Sequence, residues 1–125
     1  MIHEEICTYE VAKLAKEKGF DWIPSMYFHS GVESDLRVVG VNGANPNKIP
    51  HSPHISCPTQ TQLQRWLREE KGLHISIPLH KGEYKYFWAI DSLNRKKKEE
   101  DIAYNLFDTY ELALEDALKY ALEIL

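Results

Sequence analysis

Cysteine is scarce in this chain, with two among 125 residues, Cys7 and Cys57. Two thiols cannot form the framework that staples small secreted domains, and they read as reduced side chains of a cytoplasmic protein. Long apolar runs are missing as well. No stretch approaches the roughly 18 uncharged apolar residues that a spanning helix needs, which argues against a membrane role. The opening MIHEEICTYEV puts acids where a secretory signal would carry basic and then apolar residues. Also lacking are the phosphate-cradling G-x-x-x-x-G-K-[ST] and G-x-G-x-x-G loops, the metalloprotease pattern H-E-x-x-H and the nucleophile elbow G-x-S-x-G. Their absence excludes the commonest nucleotide-dependent, zinc-protease and hydrolase sites, and no cofactor is expected.

What is present is an ordinary globular composition, 43% hydrophobic, 27% charged and 11% aromatic, expected to fold as a single domain over residues 1–125. The net charge of -4 conceals an asymmetry. Residues 65–98 hold nine basic and four acidic side chains, whereas residues 99–125 hold one basic and eight acidic. A basic middle lying near an acidic tail neutralises it in part, and that reading fits a pI near 5.8 better than a dedicated nucleic-acid patch.

The periodicities predict three helices. In CTYEVAKLAKEKGF, Thr8 can cap, Glu10 suits the first turn and Gly19 can stop the helix, with Val11, Leu14, Ala15 and the stem of Lys18 facing inward. In CPTQTQLQRWLREEKGLHI, Thr59 and Gln62 form a T-x-x-Q capping box, Leu63, Trp66 and Leu67 make one apolar stripe, and Gly72 is the stop. In DTYELALEDALKYALEIL, Asp108 or Thr109 caps a stripe of Tyr110, Ala113, Leu114, Ala117, Leu118, Ala121 and Leu125. Strands are expected at 22–29, 36–41, 73–80, 83–91 and 102–107, the third and fourth joined as a hairpin through Lys81-Gly82. Pro24 marks the first strand as an edge or a late starter. The stretch Asn42–Pro58, with four prolines, reads as a long loop. The order α-β-β-α-β-β-β-α implies an α+β fold of two layers, about three helices on one face of a mainly antiparallel sheet of about five strands.

Three groups of residues could carry chemistry. His51, His54 and Cys57 are metal-ligand types at spacings of three, and Cys57 with His54 could make a thiolate pair near a helix N-terminus. Zinc patterns pair CxxC or HxxxH units, and a fourth ligand would have to come from afar, as from His29 or Cys7; a small metal- or thiol-dependent enzyme is thus the alternative reading. Gln60, Gln64 and Arg68 recur at i, i+4 and i+8, the side-chain types that read bases, with Arg95, Lys96, Lys97 and Lys98 available for phosphates. Glu69 and Glu70 would repel phosphate, so nucleic-acid contact is a weak second alternative. Finally, alternation places His74, His80, Lys85 and Phe87 on the outward sheet face, where cations beside an aromatic suit a protein partner better than unpaired bases.

The segments ISCPTQTQLQRWLREEKGLHI, FDTYELALEDALKYALEIL and TYEVAKLAKEKGF together resemble a group of small uncharacterised phage- and prophage-associated proteins of gut bacteria. The specific parts are Pro58-Thr59-Gln60, Trp66-Leu67-Arg68 and Asp108-Thr109-Tyr110-Glu111; the proline-rich and charged loops lie outside it. In that group alanine is usual at the place of Cys57, which speaks against a ligand or nucleophile there. The resemblance implies an accessory protein of phage or mobile-element type, working inside the host cell. Taken together, the expectation is a non-enzymatic domain that acts by binding a macromolecule, foremost a protein.

Overall fold

A computed structural model describes residues 5–40, 45–49, 52–92 and 101–125. Among these residues there are three α-helices and seven strands, every strand pair antiparallel, so the α+β class holds. The strands are shared between two sheets, of three and four strands. The chain forms two compact units, Met1–Gln62 and Leu63–Leu125. No helix among the described residues is long and apolar enough to cross a membrane.

In the first unit, α1 (Tyr9–Glu17) starts where Thr8 Oγ1 accepts the Val11 N–H, as the capping pattern predicts. Its buried face is Val11, Ala12 and Ala15, while Leu14 and Lys18 are only half-buried. Three short strands, β1 (Met26–Phe28), β2 (Leu36–Val38) and β3 (Ile55–Cys57), form a sheet with β1 in the centre. β1 begins late because the first part of the expected strand contains Pro24, which has no N–H for a ladder. β3 lies inside the expected proline-rich loop, just ahead of Pro58. The inward residues Met26, Phe28, Leu36, Ile55 and Cys57 gather with Ala12, Ile6 and Tyr9 into one apolar cluster. Tyr9 meets Phe28 edge-on at 5.0 Å and donates its hydroxyl to Gly31 O at 2.8 Å.

The division between the units falls within α2 (Gln60–Lys71). Thr59 Oγ1 accepts the Gln62 N–H at 3.1 Å, but the Gln62 amide donates to Ile23 O instead of closing the box. Leu63, Trp66 and Leu67 are buried as the stripe predicts, and Gly72 takes a φ of 68° at the helix stop.

The second unit is a sheet of β4 (Leu73–Ser76), β5 (Leu79–His80), β6 (Lys85–Ser92) and β7 (Asp101–Phe107), with α3 (Tyr110–Glu123) packed on it. β4 and β5 both pair with β6, and the interruption between them falls at Ile77-Pro78. Leu73 and Ile75 are buried as alternation predicts, but Leu79, beyond the interruption, is 42% exposed. Tyr84 belongs to the turn, at a φ of 53°, ahead of the start of β6 and outside the strand expected from 83. Thr109, rather than Asp108, caps α3 by accepting the Leu112 N–H. Ala113, Leu114, Ala117, Leu118 and Ala121 are buried as expected; Leu122 joins them, whereas Tyr110 and Leu125 are exposed.

Candidate functional site

The metal and thiol candidates separate along a strand. Successive residues of a strand point to opposite faces, so an odd spacing splits a pair. His54 precedes β3 on its outward side. Cys57, at its end, is 1% exposed within the apolar cluster and donates its Sγ–H to Cys7 O at 3.5 Å. Both cysteines are buried thiols outside any disulfide. His54 and Cys57 therefore do not share a site, and His51 lies outside the described residues. Among the described residues no three His, Cys, Asp or Glu side chains converge as metal ligands.

The helix face of Gln60, Gln64 and Arg68 is not an open one. Gln60, which a base-reading face would expose, is 4% exposed, and Gln64 donates to Ile75 O at 3.1 Å. Of the three only Arg68 is exposed. Gln60 turns inward because it opens the helix beside Pro58 and Cys57, where its own N–H donates to Glu5 O. Arg95, Lys96, Lys97 and Lys98 lie outside the described residues.

The outward face of the four-stranded sheet gathers more. Trp88 points to α3, donating its Nε1–H to Asp116 Oδ2 at 2.8 Å and lying 4.9 Å from the Tyr120 ring. Phe87, one residue earlier, points the other way. There it lines a depression of about 210 Å³ with His80, Ile102, Ala103 and Leu106. Ile102 is 37% exposed on this surface. A register irregularity in β7 between the partners of Tyr86 and Trp88 adds residues opposite β6 at this point, where Leu106 joins the lining. Lys85, at the start of β6, reaches Asp108 at 3.4 Å. His74, on β4, is exposed and pairs with Asp91 near the end of β6, whereas His80, on β5, pairs with Lys85 at its start.

A further cluster, not foreseen in the sequence, occupies the outward face of the three-stranded sheet. Register places Tyr27 between Arg37 and Ser56. One step on, His29 donates its N–H to Asp35 O and stands opposite His54. The result is two rows, Arg37–Tyr27–Ser56 and Asp35–His29–His54, built from three polar-apolar-polar triplets. The His29 and His54 ring centroids are 4.5 Å apart with planes tilted by 35°. The Tyr27 hydroxyl is 3.4 Å from His29 Nδ1, and its ring is 5.2 Å from that of His54. Ser30 N–H donates to His54 Nδ1 at 2.8 Å. The turn that aims this N–H uses two left-handed residues, Ser30 at φ 53° and Gly31 at φ 69°. A Cβ on Gly31 would sit 2.9 Å from Pro53 O. Lys16 Nζ fixes the facing segment by donating to Ser52 O and His54 O at 2.9 and 2.7 Å.

Charges in the cluster are partly matched. Arg37 donates Nε and Nη2 to the two carboxylate oxygens of Asp35 at 2.9 and 3.1 Å. That hydrogen-bonded pair holds Asp35 below the usual carboxylate range and raises Arg37. His54 is held below the ordinary imidazole value, first by desolvation, then by His29, Lys16 and Arg37 as positive neighbours. Ser56 Oγ is buried and makes no hydrogen bond among the described residues, while the Ser56 N–H donates to Asn47 Oδ1.

No protein-family model matches the chain, and no curated protein or solved structure matches it either.

Proposed function

We propose that this chain is a non-enzymatic accessory protein that works by binding another protein through the outward face of β5, β6 and β7. The observation that carries the reading is the apolar depression around Phe87, lined by Ile102, Ala103 and Leu106 with His80 at its side. An exposed aliphatic floor beside an aromatic suits one apolar side chain of a partner, and burying such a side chain contributes about 1.5–3 kcal/mol. Ile102, 37% exposed, keeps aliphatic surface open to a partner on this face. The resemblance to phage- and prophage-associated proteins supports an accessory role inside a host cell.

The test is affinity purification of the tagged full chain from its native host, in parallel with the folded Ile102→Glu variant. A partner recovered in near-equal amount with wild type and lost with Ile102→Glu is expected. Equal recovery with both would refute the assignment of this face.

A further inference from the structure

We propose that the outward face of the three-stranded sheet is a phosphate site, in which the stacked rings of His29 and His54, together with Arg37, hold the dianion of free phosphate or a small phosphate monoester. A backbone N–H can only donate, so the 2.8 Å bond from Ser30 requires a lone pair on His54 Nδ1. The neutral ring then carries its proton on Nε2. The Tyr27 hydroxyl stands 3.4 Å from His29 Nδ1, and with the His29 proton on Nε2 it has a lone pair there to donate to. His54 thus offers an N–H donor at the atom that a metal ion would need as a lone pair, and in the proposed site His29 does the same. The arrangement selects a ligand rich in acceptors.

Charge points the same way. Arg37 stands across Tyr27 from β3; Asp35 takes two of its five donors and the Tyr27 hydroxyl faces another, so the guanidinium still has donors to offer. Lys16 approaches from α1 through the carbonyls of Ser52 and His54. Asp35 is the one carboxylate in the two rows, and it is already engaged. In a chain of net charge -4 this is a local surplus of donors and positive charge. A phosphate dianion, with three or more acceptor oxygens, can take both Nε2–H groups and a guanidinium N–H without sharing one oxygen. The depressed pKa of His54 fits, because an arriving anion would offset the cations that help to depress it. This site belongs to the first unit and the apolar face to the second, and it can fail without touching that reading.

The full chain would be titrated with inorganic phosphate, and separately with glycerol 1-phosphate, at constant ionic strength, observing the imidazole nitrogens by NMR. Both rings should show the Nε2–H tautomer, both should shift saturably, and the His54 pKa should rise on binding; the tighter of the two ligands names the source. Arg37→Gln, an exposed change, should weaken binding about tenfold, the loss of one charge-assisted hydrogen bond. His54→Asn retains an acceptor for Ser30 N–H but lacks the Nε2–H donor, and should fold with binding abolished. Absence of a saturable response in wild type, an equal response to chloride, or wild-type titration of either variant would overturn the proposal.

Discussion

His29 and His54 face each other across the pairing of β1 with β3, their rings 4.5 Å apart, and His54 accepts the Ser30 N–H on Nδ1. A proton on His54 removes that acceptor and adds a charge beside His29, Arg37 and Lys16. Its pKa in the fold lies below the unfolded value of 6.5, so in the interval between them the unfolded chain binds the extra proton and the fold does not. The stability contributed by neutral His54 is fully present above the unfolded value and is lost as pH falls through the folded one. Melting temperatures of wild type should therefore fall more steeply than those of His54→Asn from about pH 7 to about pH 5. Parallel curves would contradict the account. Asp35, also held below its ordinary range, acts in a separate and more acidic window.

Gly31 is the tightest point of the same turn, at φ 69° with Pro53 O 2.9 Å from where a Cβ would stand. Gly31→Ala combines backbone strain with a backbone clash and should cost about 1–3 kcal/mol in urea unfolding. A variant as stable as wild type would show that the turn is looser than the geometry states.

Trp66 is 2% exposed on α2, and Trp66→Ala should lower stability by about 3–5 kcal/mol through lost transfer energy and the cavity left behind. Arg68→Ala, on the exposed side, should stay within about 0.5 kcal/mol of wild type. Gln60→Ala belongs between them, at about 1–3 kcal/mol, because it removes a buried amide and strands its surroundings.

Trp88 and Asp116 tie β6 to α3 by a 2.8 Å hydrogen bond. Trp88→Phe should cost at least about 1.5–3 kcal/mol, as expected for a bond to a charged acceptor. Asp116→Asn keeps an acceptor oxygen and should cost less. The reverse order would mean that the ring contact with Tyr120, rather than the hydrogen bond, holds the pair.

The helices were legible because each carries its own signal: Thr8, Thr59 and Thr109 all cap, and the stripes of α2 and α3 sit at helical spacing. The strands were less so. Pro78 breaks what alternation alone makes one continuous strand from Leu73 to His80, and β3 has only three residues among prolines. The depression at Phe87 was partly legible, since alternation put Phe87 and His80 on the outward face. Ile102 and Leu106 join it only through the register of β6 with β7, which no local pattern encodes. The histidine face was missed because its members come from three distant segments. Its local trace is the repeated polar-apolar-polar triplet, Tyr27-Phe28-His29, Asp35-Leu36-Arg37 and His54-Ile55-Ser56. Reading His54 with Cys57 at a spacing of three obscured the strand spacing of two that pairs it with Ser56.

The claim that a protein partner docks on β5, β6 and β7 is tested most directly by site-specific photocrosslinking in the native host. A photoreactive residue would replace Ile102 in one experiment and Glu33, exposed on the first unit, in another. One discrete adduct from position 102, absent from position 33, is the result predicted. No adduct at position 102, with a discrete one at position 33, would contradict the account.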